Sequence, residues 1–169
     1  AGAADCGVPG LIAVAQTSNG SVANVRSVAA KELEAALVQA DVATWAYTGE
    51  GIFAGRDRRL GLRTVASLYP ESLHVVVRKG LGVRSIADLR GLRLSLDEPG
   101  SGTLVDARAV LAAYGLAEAD VHPSYVKPSL ASAKMAEGQL DGFLIIAGHP
   151  AASVVALGAQ TPIELVPVG

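Results

Sequence analysis

Between residues 92 and 116 the chain changes its period in mid-stretch, and this constrains its fold more than any other feature. "LRLSL" (92–96) alternates apolar and polar residues, the pattern of a strand. Leu104, Ala107, Leu111 and Tyr114 then recur every three to four residues, which predicts a helix over 103–114 that stops at Gly115. The connecting stretch "DEPGSGT" (97–103) has no bulky residue. A strand, a small-residue loop and a helix in succession make the repeating unit of an α/β fold.

The rest of the chain repeats that alternation. Strands are predicted at "LIAVAQT" (11–17), within "ADVATWAYTG" (40–49), and at "LRTVASL" (62–68), "LHVVVR" (73–78), "LDGFLIIA" (140–147) and "PIELVPV" (162–168), with a short edge strand in "HPSYVKP" (122–128). Helix patterns run from Ser21 through Val22, Val25, Ala29, Leu33 and Leu37, weakly along "ASAKMAEG" (131–138), and from "GHP" (148–150). Ser85 and Asp88 fit a capping box for a short helix closed by Gly91. "GEGIFAGRDRRLG" (49–61) reads as an exposed loop. The expected architecture is α/β with mostly parallel strands, and runs such as "VVV" and "FLII" suit a sheet covered on both faces. The pattern restarts after "YPES" (69–72), which places a lobe boundary there.

Composition narrows the function. Of 169 residues, 50% are hydrophobic and 18% charged, which favours a well-buried core over disorder. A net charge of −2 and no basic run longer than "RDRR" argue against a nucleic-acid partner. Cys6 stands alone, so no internal disulfide forms. No apolar run reaches the roughly 20 residues of a membrane span. "AGAADCGVPG" lacks the basic and apolar regions of a signal peptide.

Enzyme signatures are missing. "PGSGT" is not a nucleophile elbow, because residue 99 is proline, and no Gly-Lys pair follows to make a P-loop. "GEGIFAG" misses the dinucleotide spacing by one residue. His74, His122 and His149 have no Cys or His at metal-ligand spacing, so neither a metal nor another cofactor is expected. Asp141 and Glu137 read as solvent-facing or turn-capping residues. "PGSGT", by contrast, lies where ligands sit in open α/β sheets, beyond the carboxyl end of a strand. A helix start offers unpaired N–H groups and partial positive charge, glycine permits close approach, and Ser101 and Thr103 add hydroxyls. Such a turn suits a carboxylate or phosphate. Plain capping of the helix by Ser101 explains the same residues. "TSNGSVAN" (17–24) repeats the arrangement, again with a cap or Asn-Gly turn as the alternative. His149 follows a buried strand, where a ligand contact and a helix start are both open readings.

Taken together, "QTSNGSVANV", "LVQADVATWAYTG", "LYPESLHVVVR", "IADLRG", "SLDEPGSGT" and "GHP" resemble the TAXI family, the extracytoplasmic solute-binding subunits of tripartite ATP-independent periplasmic (TRAP) transporters. The resemblance spans residues 7–169. It implies a type II periplasmic-binding-protein fold, with ligand clamped between two lobes: residues 1–73 as an incomplete first lobe and 74–169 as the second. It implies a non-enzymatic, periplasmic or extracytoplasmic carrier of a small organic anion, such as glutamate or an oxoacid, with TRAP permease subunits as partners. Ser21 and Asn24 would lie on the first lobe's ligand loop. Gln39, Asp41 and Tyr47 would flank the next strand end, and Glu71 and His74 the crossover. Ser101, Gly102 and Thr103 would form the second lobe's anion site, with His149 approaching from the next strand. Against the family pattern the chain lacks a first strand and a return crossover. It therefore reads as truncated at both ends, with self-association expected of the open sheet edge. An effector-binding regulatory domain and an enzyme on the same fold are the competing readings.

Overall fold

The computed structural model describes residues 7–55 and 61–168. Cys6 and the "RDRR" run lie outside the described residues. The elements in chain order are α1 (Ser21–Ala29), α2 (Ala40–Thr48), a 3-10 turn (Gly51–Phe53), β1 (Ser72–Arg78), a 3-10 turn (Ile86–Leu89), β2 (Arg93–Ser95), α3 (Gly102–Ala113), a 3-10 turn (Glu118–Asp120), β3 (His122–Ser124), α4 (Pro128–Ala136), β4 (Gly142–Ala147), α5 (Ala152–Gly158) and β5 (Ile163–Leu165).

The five strands form one sheet in the order β3-β2-β4-β1-β5. β2 runs parallel to β3 and β4, while β1 lies antiparallel between β4 and β5. Four strands thus share a direction and β1 opposes them. The cause is the short link after β1. A single 3-10 turn there does not carry the chain back across a face, so β2 starts from the end where β1 finishes. α3, α4 and α5 are the crossovers that return the chain for β3, β4 and β5.

Both faces of the sheet are covered. Leu104, Ala107 and Leu111 of α3 pack on Val75, Val77, Leu94, Leu96 and Leu144. Ala131 and Met135 of α4 and Leu157 of α5 pack on Val76 and Phe143. The three consecutive valines of β1 are fully buried for this reason. Gly142 lets β4 fit between its neighbours. A Cβ there would stand 2.5 Å from Val76 O and 3.0 Å from both Leu94 Cδ2 and Val77 Cγ1.

Four expectations change. "ADVATWAYTG" is a helix rather than a strand. Val42 and Ala46, one turn apart, bury against Val22, Val25 and Phe53, and this contact overrides the β preference of Thr, Trp and Tyr. The Thr44 and Thr48 hydroxyls are accommodated by donating to Ala40 O (2.7 Å) and Thr44 O (3.0 Å). "LIAVAQT" and "LRTVASL" form no strand, so "LRTVASL" belongs to no first-lobe sheet; Ile12 and Val65 are 89% and 93% exposed, and Leu62 packs instead beside Val42 and Phe53. α1 stops at Ala29, and Lys31 takes a left-handed φ of 62°. Leu37 beyond it is exposed and Leu33 only partly buried, and a helix extension without packing is marginal. Finally, Asp141 is buried instead of facing solvent, and its carboxylate joins Arg78 and Arg93, each at 2.7 Å.

"LRLSL", "FLII" and the α3 pattern fall where their spacing puts them. The Ser85–Asp88 capping box also forms, heading a 3-10 turn: the Asp88 carboxylate accepts from Ser85 N (2.9 Å) and Oγ (3.1 Å).

Candidate functional site

β2 and β4 point their carboxyl ends toward the start of α3. There the first turn of α3 takes the place beside β4 that β2 vacates, and Ile146 N donates to Thr103 Oγ1 at 3.2 Å. Ser101 is the helix N-cap, its Oγ accepting from Leu104 N at 3.0 Å. Capping is therefore a fact of the structure, and it uses one lone pair of that hydroxyl. The Asp97 carboxylate lies near the Ser101 and Thr103 hydroxyls and accepts from Glu98 N at 2.8 Å. Burial pushes the Asp97 carboxyl above the ordinary range, and these donors oppose the shift. One of the chain's own carboxylates thus lies beside the turn. Asp97 is presented by a left-handed φ of 73°.

The two small-residue loops do not face each other across open space; they touch. Ala23 N donates to Gly100 O at 3.0 Å and Asn19 Nδ2 to Pro99 O at 3.4 Å. A Cβ on Gly20 would stand 3.0 Å from Ser101 Cα. Ser21, at the start of α1, points at Gln39: its Oγ accepts from Gln39 N (3.0 Å) and donates to Gln39 Oε1 (3.2 Å). That carboxamide lies over Gly102, where any Cβ would collide with its oxygen. Its Nε2 extends to Asp106 Oδ2 at 3.5 Å.

Behind Gln39 stand three carboxyl groups from three elements. Asp41, in the first turn of α2, accepts from Val42 N at 2.7 Å and lies near Asp106 of α3. Burial, and then the closeness and charge of Asp41, push the Asp106 carboxyl up to about 7. Glu71, just before β1, is raised by burial and by Asp41. A neighbouring negative charge makes a second carboxyl harder to ionise.

His74 and His149 form a separate pair. His74 is 8% exposed, its Nδ1 buried without a hydrogen-bond partner, and its ring stacks on His149 with centroids 6.2 Å apart. His149 also lines an open pocket of about 510 Å³ with Tyr69 and Pro70. Asn24 and Tyr47 join neither group. Asn24 Nδ2 donates to Leu37 O at 2.8 Å and so ties down the segment after α1, while Tyr47 is half exposed.

Of the sequence-derived candidates, Ser21, Gln39, Asp41, Ser101, Gly102 and Thr103 converge, with Glu71 at the edge. Asp97 and Asp106 were not among them. Asp106 was legible in principle, since it lies four residues after Gly102 on the same helix face. Nothing local marks Asp97, whose role depends on its left-handed φ. Among the described residues, no three His, Cys, Asp or Glu side chains are grouped to hold a metal ion. No helix is long and apolar enough to cross a membrane.

A mixed sheet covered on both faces, with a small-residue helix start at its carboxyl ends, is a periplasmic-binding-protein-like α/β fold. The chain belongs to the NMT1-like family, which it matches over residues 9–169. Among solved structures it is similar to the alkanesulfonate-binding protein SsuA from Xanthomonas axonopodis pv. citri, with 30% identity and a TM-score of 0.47 over 56% of this chain and 31% of that one. It is similar also to the periplasmic aliphatic sulphonate binding protein SsuA from Escherichia coli, with 23% identity and a TM-score of 0.48 over 57% and 31%. An ancestral arginine-binding protein matches with 20% identity and a TM-score of 0.44 over 58% and 41%. The chain thus spans about a third of the length of the first two.

Proposed function

We propose that the chain is the ligand-binding part of an extracytoplasmic solute-binding protein, a carrier rather than an enzyme. It hands a small organic anion, such as glutamate or another carboxylate or oxoacid, to the permease subunits of a TRAP transporter. The observation that carries this reading is the start of α3, where Gly102 and the buried Ser101 and Thr103 hydroxyls surround the first helical turn. The turn has the donors a carboxylate needs, at the end of the sheet where such folds bind ligands. The resemblance to the TAXI family supports the transporter and the two-lobed division near residues 73 and 74.

Calorimetric titration with glutamate, 2-oxoglutarate and short alkanesulfonates tests the reading. Binding of a carboxylate is expected, with Thr103→Val weakening it about tenfold, since a hydrogen bond to a charged group contributes roughly 1.5–3 kcal/mol. Gly102→Val should abolish it. If neither substitution changes affinity, the turn is a helix cap only; if sulfonates alone bind, the carboxylate assignment is wrong. Self-association belongs to the same proposal, because Ile12, Val14, Val65 and Leu68 are exposed. Sedimentation at low and high concentration should show it, and a monomer at both would refute it.

A further inference from the structure

α1 and α3 meet at their starts and leave a groove between them further along. Ala23 N donates to Gly100 O at 3.0 Å and Gly20 lies against Ser101, which shuts the groove at that end. Beyond lies a cavity of about 470 Å³, within the roughly 300–1,000 Å³ of small-molecule sites. Its walls are mostly apolar: Val22 of α1, Leu104 and Val105 of α3, and Ile52 of the 3-10 turn at residues 51–53. Each helix adds an arginine one turn after an apolar wall residue, Arg26 after Val22 and Arg108 after Leu104. The two cations differ. The Glu118 carboxylate accepts from Arg108 Nε at 2.6 Å, from one of its terminal nitrogens at 3.1 Å, and from the Tyr125 hydroxyl, so the charge of Arg108 is matched and its position fixed. The Arg26 side chain has no hydrogen-bond or ion-pair partner among the described residues. Among those residues no carboxylate lines the cavity either. The groove thus joins an apolar wall to one uncompensated positive charge, in a chain whose net charge is −2.

We propose that this groove binds a small acid with an apolar chain, the chain lying against Val22, Ile52, Leu104 and Val105 and the anionic head on Arg26 with Arg108 beside it. Gly102 and Thr103 do not line it, so it stands apart from the anion site at the start of α3. Charge decides the sign of the head: with Arg108 and Glu118 cancelling, the groove keeps the charge of Arg26, and a planar guanidinium pairs best with a carboxylate-like oxyanion. Apolar walls decide the rest of the ligand, since a bare anion would leave them wet. Arg108 is already held by Glu118, so little ordering cost falls on it when a ligand arrives. Ile52 and Tyr125 are 36% and 41% exposed, which leaves the groove open to entry.

Calorimetric titration with octanoate, octan-1-ol and acetate tests it. Octanoate should bind about tenfold or more tightly than octanol, which lacks the charge, and than acetate, which lacks the chain. Arg26→Gln should weaken octanoate about tenfold through loss of a charged hydrogen-bond partner, and Ile52→Ser about fivefold through loss of apolar contact. Both side chains are at the surface and on different elements, so each variant checks the other, with circular dichroism confirming the fold. In the unsubstituted chain, octanoate should shift the amide resonances of Ile52, Val105 and Arg108. Octanol binding as tightly as octanoate, affinity unchanged in Arg26→Gln, or no binding of octanoate at all overturns the groove. Octanoate that shifts only the amides of residues 101–103 and is weakened by Thr103→Val, not Arg26→Gln, sits at the start of α3; that overturns the groove and supports the other site. Octanoate bound in the groove, with 2-oxoglutarate bound nowhere, upholds the groove and sinks the anion site at the start of α3.

Discussion

Asp141 offers the sharpest test of how the sheet is held together. Its carboxylate accepts from Arg93 N (2.9 Å), Arg93 Nε (3.0 Å), one terminal nitrogen of Arg93 (2.7 Å) and one of Arg78 (2.7 Å). It thereby joins β1, β2 and the entry of β4 at one point. Removing one partner of a buried ion pair costs about 3–5 kcal/mol when the other is left desolvated. Here the Asp141 side chain is 11% exposed, but those of Arg78 and Arg93 are 33% and 43% exposed and can recover water. Asp141→Ala should therefore cost about 2–3 kcal/mol, below the fully buried case. For a domain of this size that lowers Tm by about 5–10 °C. Urea unfolding followed by far-UV circular dichroism measures the loss directly. Glu137→Ala is the control, because Glu137 is exposed and accepts only from Gln139; it should stay within about 0.5 kcal/mol. The pH profile gives a second arm. The Arg93 hydrogen bonds hold the Asp141 carboxyl well below the ordinary carboxylate range. A lowered folded pKa gives stability that is present above about pH 4 and is lost as pH falls through the folded value, so this slope should vanish in Asp141→Ala. A loss under about 1 kcal/mol, with the acid slope intact, would refute the role given to Asp141.

Gly142→Ala should destabilise by more than about 1 kcal/mol, because its Cβ meets the Val76 carbonyl in a strand held on both sides; an unchanged urea midpoint would contradict the strand spacing. Ser101→Ala should cost about 1 kcal/mol through loss of the Leu104 N–H partner, measured the same way, and a neutral effect would remove the cap. Asp106 titrates in the opposite sense to Asp141. Its raised folded pKa means that stability falls as pH climbs from about 4 to about 7, with the charge of Asp41 of α2 opposing its ionisation. Asp106→Asn should flatten unfolding profiles over that window, and a profile that keeps its slope would show that Asp106 is not its source.

What the sequence made legible follows the sheet. From Ser72 onward, strand and helix patterns read as they fold, because each apolar face has a partner within one crossover: Leu104, Ala107 and Leu111 of α3 pack on the neighbouring strands. Before Ser72 local pattern misleads. "LIAVAQT" and "LRTVASL" have strand composition, yet a strand needs a neighbour to bond, and composition does not say whether one is there. α2 errs the other way, since Val42 and Ala46 are i, i+4 partners hidden among residues that favour strands. The antiparallel placement of β1 was equally invisible. It depends on how far the link after Arg78 reaches, and not on any residue within β1.

The site was legible in its hydroxyls and glycines and opaque in its carboxyls. "PGSGT" announces a helix start open to an anion, because small residues and hydroxyls have few other reasons to cluster at the end of a strand. What the pattern omits is that the chain answers its own chemistry. The Asp97 carboxylate lies near Ser101 and Thr103, and Gln39, far upstream in the chain, lies over Gly102. Both are polar groups near a turn that offers unpaired donors, and buried donors find partners wherever the chain can supply them. A turn with the donors of a helix start therefore gathers the chain's own polar side chains around it.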